Sequence, residues 1–289
     1  MRTDLSGTLA LLLVLTPGVA VAASHDVTLS RLGEWSDWPL YPTDVTDAYT
    51  VVVNELGLAI ANKPVAPAET LGIYGFDLGV SSTVAFISSH DDSAGQPGPW
   101  SRVDPAGDPA AVLWIPWVHV RKGLPLSLEV GANAGYLAFT HQTAVGGYGR
   151  WGLVEGYAPI PDLAIQVGYA GYVGNDELEL GVMDLSATVG YTVPFGSIVG
   201  IHQARFSPFL GVGSHRIHAA PRLGAERQAS LGVSEVSGFQ RSKVYDPAFE
   251  HTTVDGGFCI WSSDFQLRLA ATWTPGSLVT LTGGLGFAY

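Results

Sequence analysis

The chain has 289 residues, with 14 Lys+Arg against 26 Asp+Glu and a formal net charge of −12. That balance argues against a nucleic-acid-binding face, which needs clustered positive charge. A single cysteine, Cys259, excludes an intramolecular disulfide and a thiolate metal cluster.

Residues 1–22 have the form of a secretory signal peptide. Arg2 supplies the n-region charge, the apolar run spans Leu9 to Leu15, and Ala20-Val21-Ala22 places small residues for cleavage. No cysteine follows the run, so a lipoprotein anchor is not expected. Beyond it no stretch approaches eighteen consecutive apolar residues. A membrane crossing would therefore require a closed barrel, because lipid satisfies no open sheet edge.

Residues 23–72 read as an N-terminal periplasmic segment. It is polar and irregular to about residue 43. Val45, Tyr49, Val52, Leu56 and Ile60 then recur at three-to-four spacing, predicting an amphipathic helix over about 44–61. Asp44, Thr46 and Asp47 offer N-cap chemistry and Pro64 closes the helix, although the run from Thr50 to Val53 has the propensity of a strand. Such a helix could plug a barrel or lie on the periplasmic membrane surface; its lack of Lys and Arg disfavours the surface.

Residues 73–289 alternate with the period of two that marks strands. Leu126, Leu128, Val130, Ala132, Ala134 and Tyr136 oppose Ser127, Glu129, Gly131, Asn133 and Gly135. Met183, Leu185, Ala187 and Val189 oppose Asp184, Ser186 and Thr188. Leu178, Leu180 and Val182 run in the opposite phase, which suggests a bulge near Val182–Met183. About ten strands result, with eight or twelve as alternatives. Tight junctions at 122–125, 158–162, 194–197 and 262–264 fall on one side. The long insertions near 89–110 and 217–252 fall on the other, as in outer-membrane barrels. Tyr157, Tyr191, Phe195, Trp261, Phe265, Phe287 and Tyr289 would form a girdle at the short-turn rim. Tyr136, Phe139, Tyr169, Tyr172 and Trp273 would form one at the long-loop rim.

The last strand, Leu278 to Tyr289, carries Thr282, Gly284, Phe287 and Tyr289 at the positions of a polar residue, a glycine, a hydrophobic residue and a terminal aromatic. With the signal peptide and the alternating strands, this ending resembles the bacterial outer-membrane β-barrel superfamily, whose C-terminal sorting signal has that pattern. The resemblance implies recognition by the barrel assembly machinery and embedding in outer-membrane lipid. It concerns architecture, and architecture does not transmit function.

Inward positions place Asp77, Glu129, Asn133, Arg150, Gln166, Asp184, Arg205 and Arg268 in the lumen. Buried charges must pair, and Glu129 with Arg150 is the expected pair across one hairpin. The lumen is then a polar pathway or an ion-paired plug, and the plug is favoured. The expected function is a non-enzymatic outer-membrane protein, either a small channel or a structural, surface-exposed barrel, with no cofactor and no metal. A rival hydrolase would use a rim of His90, Asp91, Asp92, His141, Asp176, Glu177, His215, His218 and His251, with a general base beside a positioned water. His215 and His218 could share zinc with His90 or Asp92. A soluble ligand-binding barrel is the remaining alternative.

Overall fold

The computed structural model describes residues 25–33, 42–91, 97–156, 160–198 and 201–289. The signal peptide, Asp92 and Tyr157 lie outside the described residues. Ten antiparallel strands close into a barrel: β1 (Phe76–Phe86), β2 (Val112–Leu124), β3 (Leu128–Tyr136), β4 (Thr143–Val154), β5 (Asp162–Val173), β6 (Leu178–Gly190), β8 (Ile201–Pro221), β10 (Glu250–Ser262), β11 (Phe265–Thr274) and β12 (Leu278–Ala288). Pairing of β12 with β1, from Asp77↔Ala288 to Phe86↔Val279, completes the circle. Two further short strands, β7 (Val193–Ile198) and β9 (Val236–Ser237), pair with β8. Residues 194–197, read from the sequence as a turn, belong to β7. There Pro194 and Gly196 sit at register irregularities rather than at a hairpin tip.

The wall alternates in the sense that a lipid environment demands. On β12, Leu281, Leu285 and Phe287 are exposed, while Thr280 and Thr282 are buried. On β1, Leu78 and Val80 face out and Asp77 and Thr83 face in. An apolar exterior around a polar interior inverts the arrangement of a water-soluble barrel, and its strands carry every backbone partner within the closed sheet. The chain is a closed transmembrane barrel of the outer-membrane type. Among the described residues no helix is long and apolar enough to cross a membrane.

Both aromatic rims are present, with two corrections. Phe265, Phe287 and Tyr289 are exposed at one end, and Tyr136, Phe139, Tyr169 and Trp273 at the other. Tyr172 instead turns inward and is buried, its hydroxyl on Gln142. Trp261 shares the inward row of Cys259, and the Arg205 guanidinium lies 4.9 Å from its ring.

The helix α1 (Pro42–Ile60) occupies the lumen. Every residue from 52 to 60 is buried, with Val52, Val53 and Leu56 at 0% exposure. A helix buried on all sides needs an apolar wall, and β6 and β8 provide one in Leu178, Leu180, Val182, Ile217 and Ala219. These residues explain the phase reversal in the sequence. The β6–β8 register runs unbroken from Leu178↔Pro221 to Gly190↔Phe209, so there is no bulge at Val182–Met183. Apolar side chains point inward there because they meet the helix.

Candidate functional site

The lumen has two storeys. At the long-loop mouth, α1 joins the loops in one apolar core. Leu29 and Leu32 of the 3-10 turn Leu29–Gly33, Trp100 and Val103 of α2 (Pro99–Val103), and Leu231 of α3 (Ala225–Leu231) belong to it, with Phe249. Polar bonds fix the helix to this cap. Glu55 accepts from Ser88 N (2.9 Å), Ser88 Oγ (2.6 Å) and Trp100 Nε1 (2.6 Å). Burial nevertheless pushes its carboxyl above the ordinary glutamate range, against the lowering effect of those three donors. Asn54 Nδ2 donates to Ala248 O at 2.9 Å, and Tyr49 Oη to Ser234 O at 3.3 Å.

Residues 25–33 also lie at this mouth. Ser30 donates to Glu177 through both N (2.8 Å) and Oγ (2.7 Å), and Asp26 accepts from His141 N at 2.8 Å. The segment expected on the periplasmic side thus has its described residues among the long loops and inside the barrel. From Ala61 the chain runs down the lumen to β1. Arg150 Nη1 donates to Pro67 O (3.0 Å), Thr70 N and Oγ1 donate to Glu155 (3.1 and 3.0 Å), and Leu71 N donates to Glu129 (3.3 Å).

The lower storey is a charge network. Asp77, at 0% exposure, takes Arg121 Nε at 2.6 Å and Arg268 Nη2. Arg121 also reaches Glu129 (3.4 Å) and Gln266 (3.3 Å). The expected Glu129–Arg150 pair is opposed in the β3–β4 register, yet its bonds go elsewhere. Arg121 engages Glu129, and Arg150 turns to Gln166 (3.0 Å) and Pro67, because the threading segment offers it a carbonyl. Asp184 Oδ1 accepts from Asn62 at 3.1 Å, and Asn133 Nδ2 donates to Asn62 Oδ1 at 2.7 Å. Arg205 stacks on Trp261 near Glu69, whose carboxyl burial holds above the usual range.

Asp77, Glu129, Asp184 and Arg268 are the lumenal residues expected from strand phase, and the structure adds Arg121 and His119 to them. The signal was present: His119 and Arg121 alternate with Val118 and Val120, and Asp77 opposes Arg121 in the β1–β2 ladder. Asn62 and Lys63 lie outside any strand pattern.

The rim of histidine and acid splits: His215 and His251 oppose each other in the β8–β10 ladder, and the others stand apart. His90 and Asp91 are exposed, His141 pairs with Asp26, His218 stands 3.9 Å from Glu235, and His215 is buried in the lumen on Thr253. Among the described residues no three His, Cys, Asp or Glu side chains are placed to hold a metal ion. The sorting-signal residues lie in β12 and at its end: Thr282 faces the lumen and bonds Thr83 (3.0 Å), Gly284 packs against Ser81, and Phe287 and Tyr289 face out.

No protein-family model and no curated protein matches the chain. Among solved structures it is similar to the KdgM porin (4% identity, TM-score 0.30, 73% of this chain and 99% of that one). It is also similar to the Acinetobacter baumannii outer membrane protein Omp33 (10%, 0.27, 74% and 99%) and to LpxR from Salmonella typhimurium (9%, 0.33, 61% and 72%). At these identities the likeness concerns the barrel fold alone.

Proposed function

We propose that this protein is a non-enzymatic, internally plugged outer-membrane barrel, closed at rest, that presents a compact cap of long loops at the cell surface. The observation that carries this reading is the burial of residues 52–60 of α1 on every side within the lumen. The ion-paired network around Asp77 supports it, since it fills the lower lumen with side chains bonded to one another. A ten-stranded barrel is narrow, and a helix takes up the space through which solute would pass. His141 and His218 stand apart on separate acids, and His215, beside His251, is buried on Thr253, which favours a structural or surface role over hydrolysis.

Planar-bilayer recording of the refolded protein tests this reading. The full chain should be silent, and a variant that empties both storeys, lacking residues 25–71 and carrying Asp77→Ser, Arg121→Ser and Arg268→Ser, should conduct, with heat-modifiable gel mobility checking that the variant folds. Steady open-channel conductance by the full chain would overturn the proposal.

A further inference from the structure

At the long-loop mouth the cap encloses a cavity of about 330 Å³, beside the wall of β2. Four pieces of chain form it: residues 25–27, α2 with the run to Ala110, the start of β2, and the turn Ala138–Thr140 between β3 and β4. Backbone bonds hold these pieces together. Thr28 N donates to Val103 O (2.9 Å), Ile87 N to Ala111 O (3.1 Å) and Ala138 N to Trp114 O (2.9 Å). Asp26 ties the first piece to the turn through the neighbouring His141 N, at 2.8 Å. The walls are thus fixed by the fold itself, as in small-molecule sites, and the volume lies in their range.

The lining is largely apolar and aromatic. Trp100 and Val103 are buried, while Trp114 and Phe139 are exposed and mark the opening. Both indoles are held in place. Trp100 Nε1 donates to Glu55 (2.6 Å) and Trp114 Nε1 to Ser82 Oγ (2.6 Å), with the Trp114 and Phe139 rings 6.5 Å apart. With both N–H groups committed, the rings offer the cavity carbon surface.

The charged lining has one sign. Asp26, Asp104 and Asp108 line the cavity, and among the described residues no Lys or Arg does. Asp104 is bonded to His25 Nδ1 (3.0 Å) and Ala106 N (3.1 Å), and Asp26 to His141. Asp108 is exposed and has no hydrogen bond or ion pair among the described residues. No three His, Cys, Asp or Glu side chains among those residues are placed to hold a metal ion.

We infer that this cavity binds a small organic cation with an apolar body, the body against Trp100 and Val103 and the charge between Phe139 and Asp108. Apolar walls favour a ligand that removes apolar surface from water. Aromatic faces attract a cation, more strongly where it is partly desolvated. An anionic ligand would meet three carboxylates, and a neutral one would gain nothing from Asp108. The inference goes beyond the plugged-barrel reading, because it needs the cap and not a closed lumen.

Calorimetric titration of the full chain, refolded in a neutral maltoside detergent, with benzyltrimethylammonium tests it. Binding should saturate at one per chain, and neutral benzyl alcohol and anionic benzenesulfonate should bind more weakly. Asp108→Asn should weaken binding roughly two- to fivefold, the range for an exposed charge pair. Phe139→Leu, which keeps bulk and removes the ring, should weaken it by a similar factor. Ala110→Trp places an indole at the lining without removing a charge and should abolish binding. Asp176→Asn, an exposed acid outside the cavity, should bind as the parent does. Heat-modifiable gel mobility checks that each variant folds. Absence of saturable binding, binding that survives Ala110→Trp, or equal affinity for benzyl alcohol would overturn the inference. Equal loss in Asp176→Asn and Asp108→Asn would overturn it too, by assigning the attraction to net charge alone. Conductance by the full chain alongside the expected titrations would sink the plug and leave the cation site standing.

Discussion

Arg121 Nε lies 2.6 Å from Asp77 Oδ2, the two residues facing each other across the β1–β2 ladder at the base of the lumen. The same guanidinium reaches Glu129, so one cation holds two carboxylates from neighbouring strands. Removing it leaves Glu129 buried without its cation and Asp77 with Arg268 alone. Arg121→Met should therefore cost about 3–5 kcal/mol, read as a lower midpoint for urea unfolding of the refolded barrel. A change under about 1 kcal/mol would show that the network contributes little.

Glu55 gives a second prediction, for the cap. Glu55→Ala leaves Trp100 Nε1 and Ser88 N without their acceptor and should cost about 1–3 kcal/mol. Because burial raises the Glu55 carboxyl, the stability it adds is complete below its ordinary pKa and is lost as pH rises through the raised value. Glu55→Gln should flatten that part of the pH profile in unfolding titrations. An identical slope in both proteins would contradict the role given to this carboxyl.

Much of this was legible from alternation, and the exceptions share one cause. Leu128, Val130 and Tyr136 read correctly as lipid-facing because period two is imposed by the pleat. Leu178, Leu180 and Val182 misled because an inward row is expected to be polar, and only the enclosed helix makes it apolar. The polar partners followed the same rule. Asp77 and Arg268 were visible from strand phase. The bonds of Arg150 to Pro67, and of Asp184 to Asn62, depend on an irregular segment whose path no local pattern specifies.

Close packing inside the wall supplies a third prediction. The Trp117 ring lies over Gly135, and a β-carbon there would overlap the indole. Gly135→Val should reduce refolding yield severalfold at equal protein concentration, and Trp117→Ala in the same chain should restore part of it. Normal yield from Gly135→Val would refute the packing.

Outside the wall, Leu281 is exposed on the lipid face while Thr282, one residue on, faces the lumen. Leu281→Arg should cost about 2–4 kcal/mol in bilayer refolding titrations, the range for a cation near the midplane. Thr282→Ser should cost far less. Equal effects would reverse the assigned phase of β12. On the same strand, we expect Phe287→Asp to block outer-membrane insertion, read as loss from the membrane fraction; normal yield would remove the proposed use of the terminal motif.

Helix α1 sits in the lumen against β8. A β-carbon on Gly57 would lie 2.8 Å from Ile217 Cδ1. In a Cys259→Ser background, Gly57→Cys with Ile217→Cys should form a disulfide under mild oxidation in the folded barrel, seen as a gel shift reversed by reductant. Free thiols at both positions, readily alkylated from outside, would contradict the account.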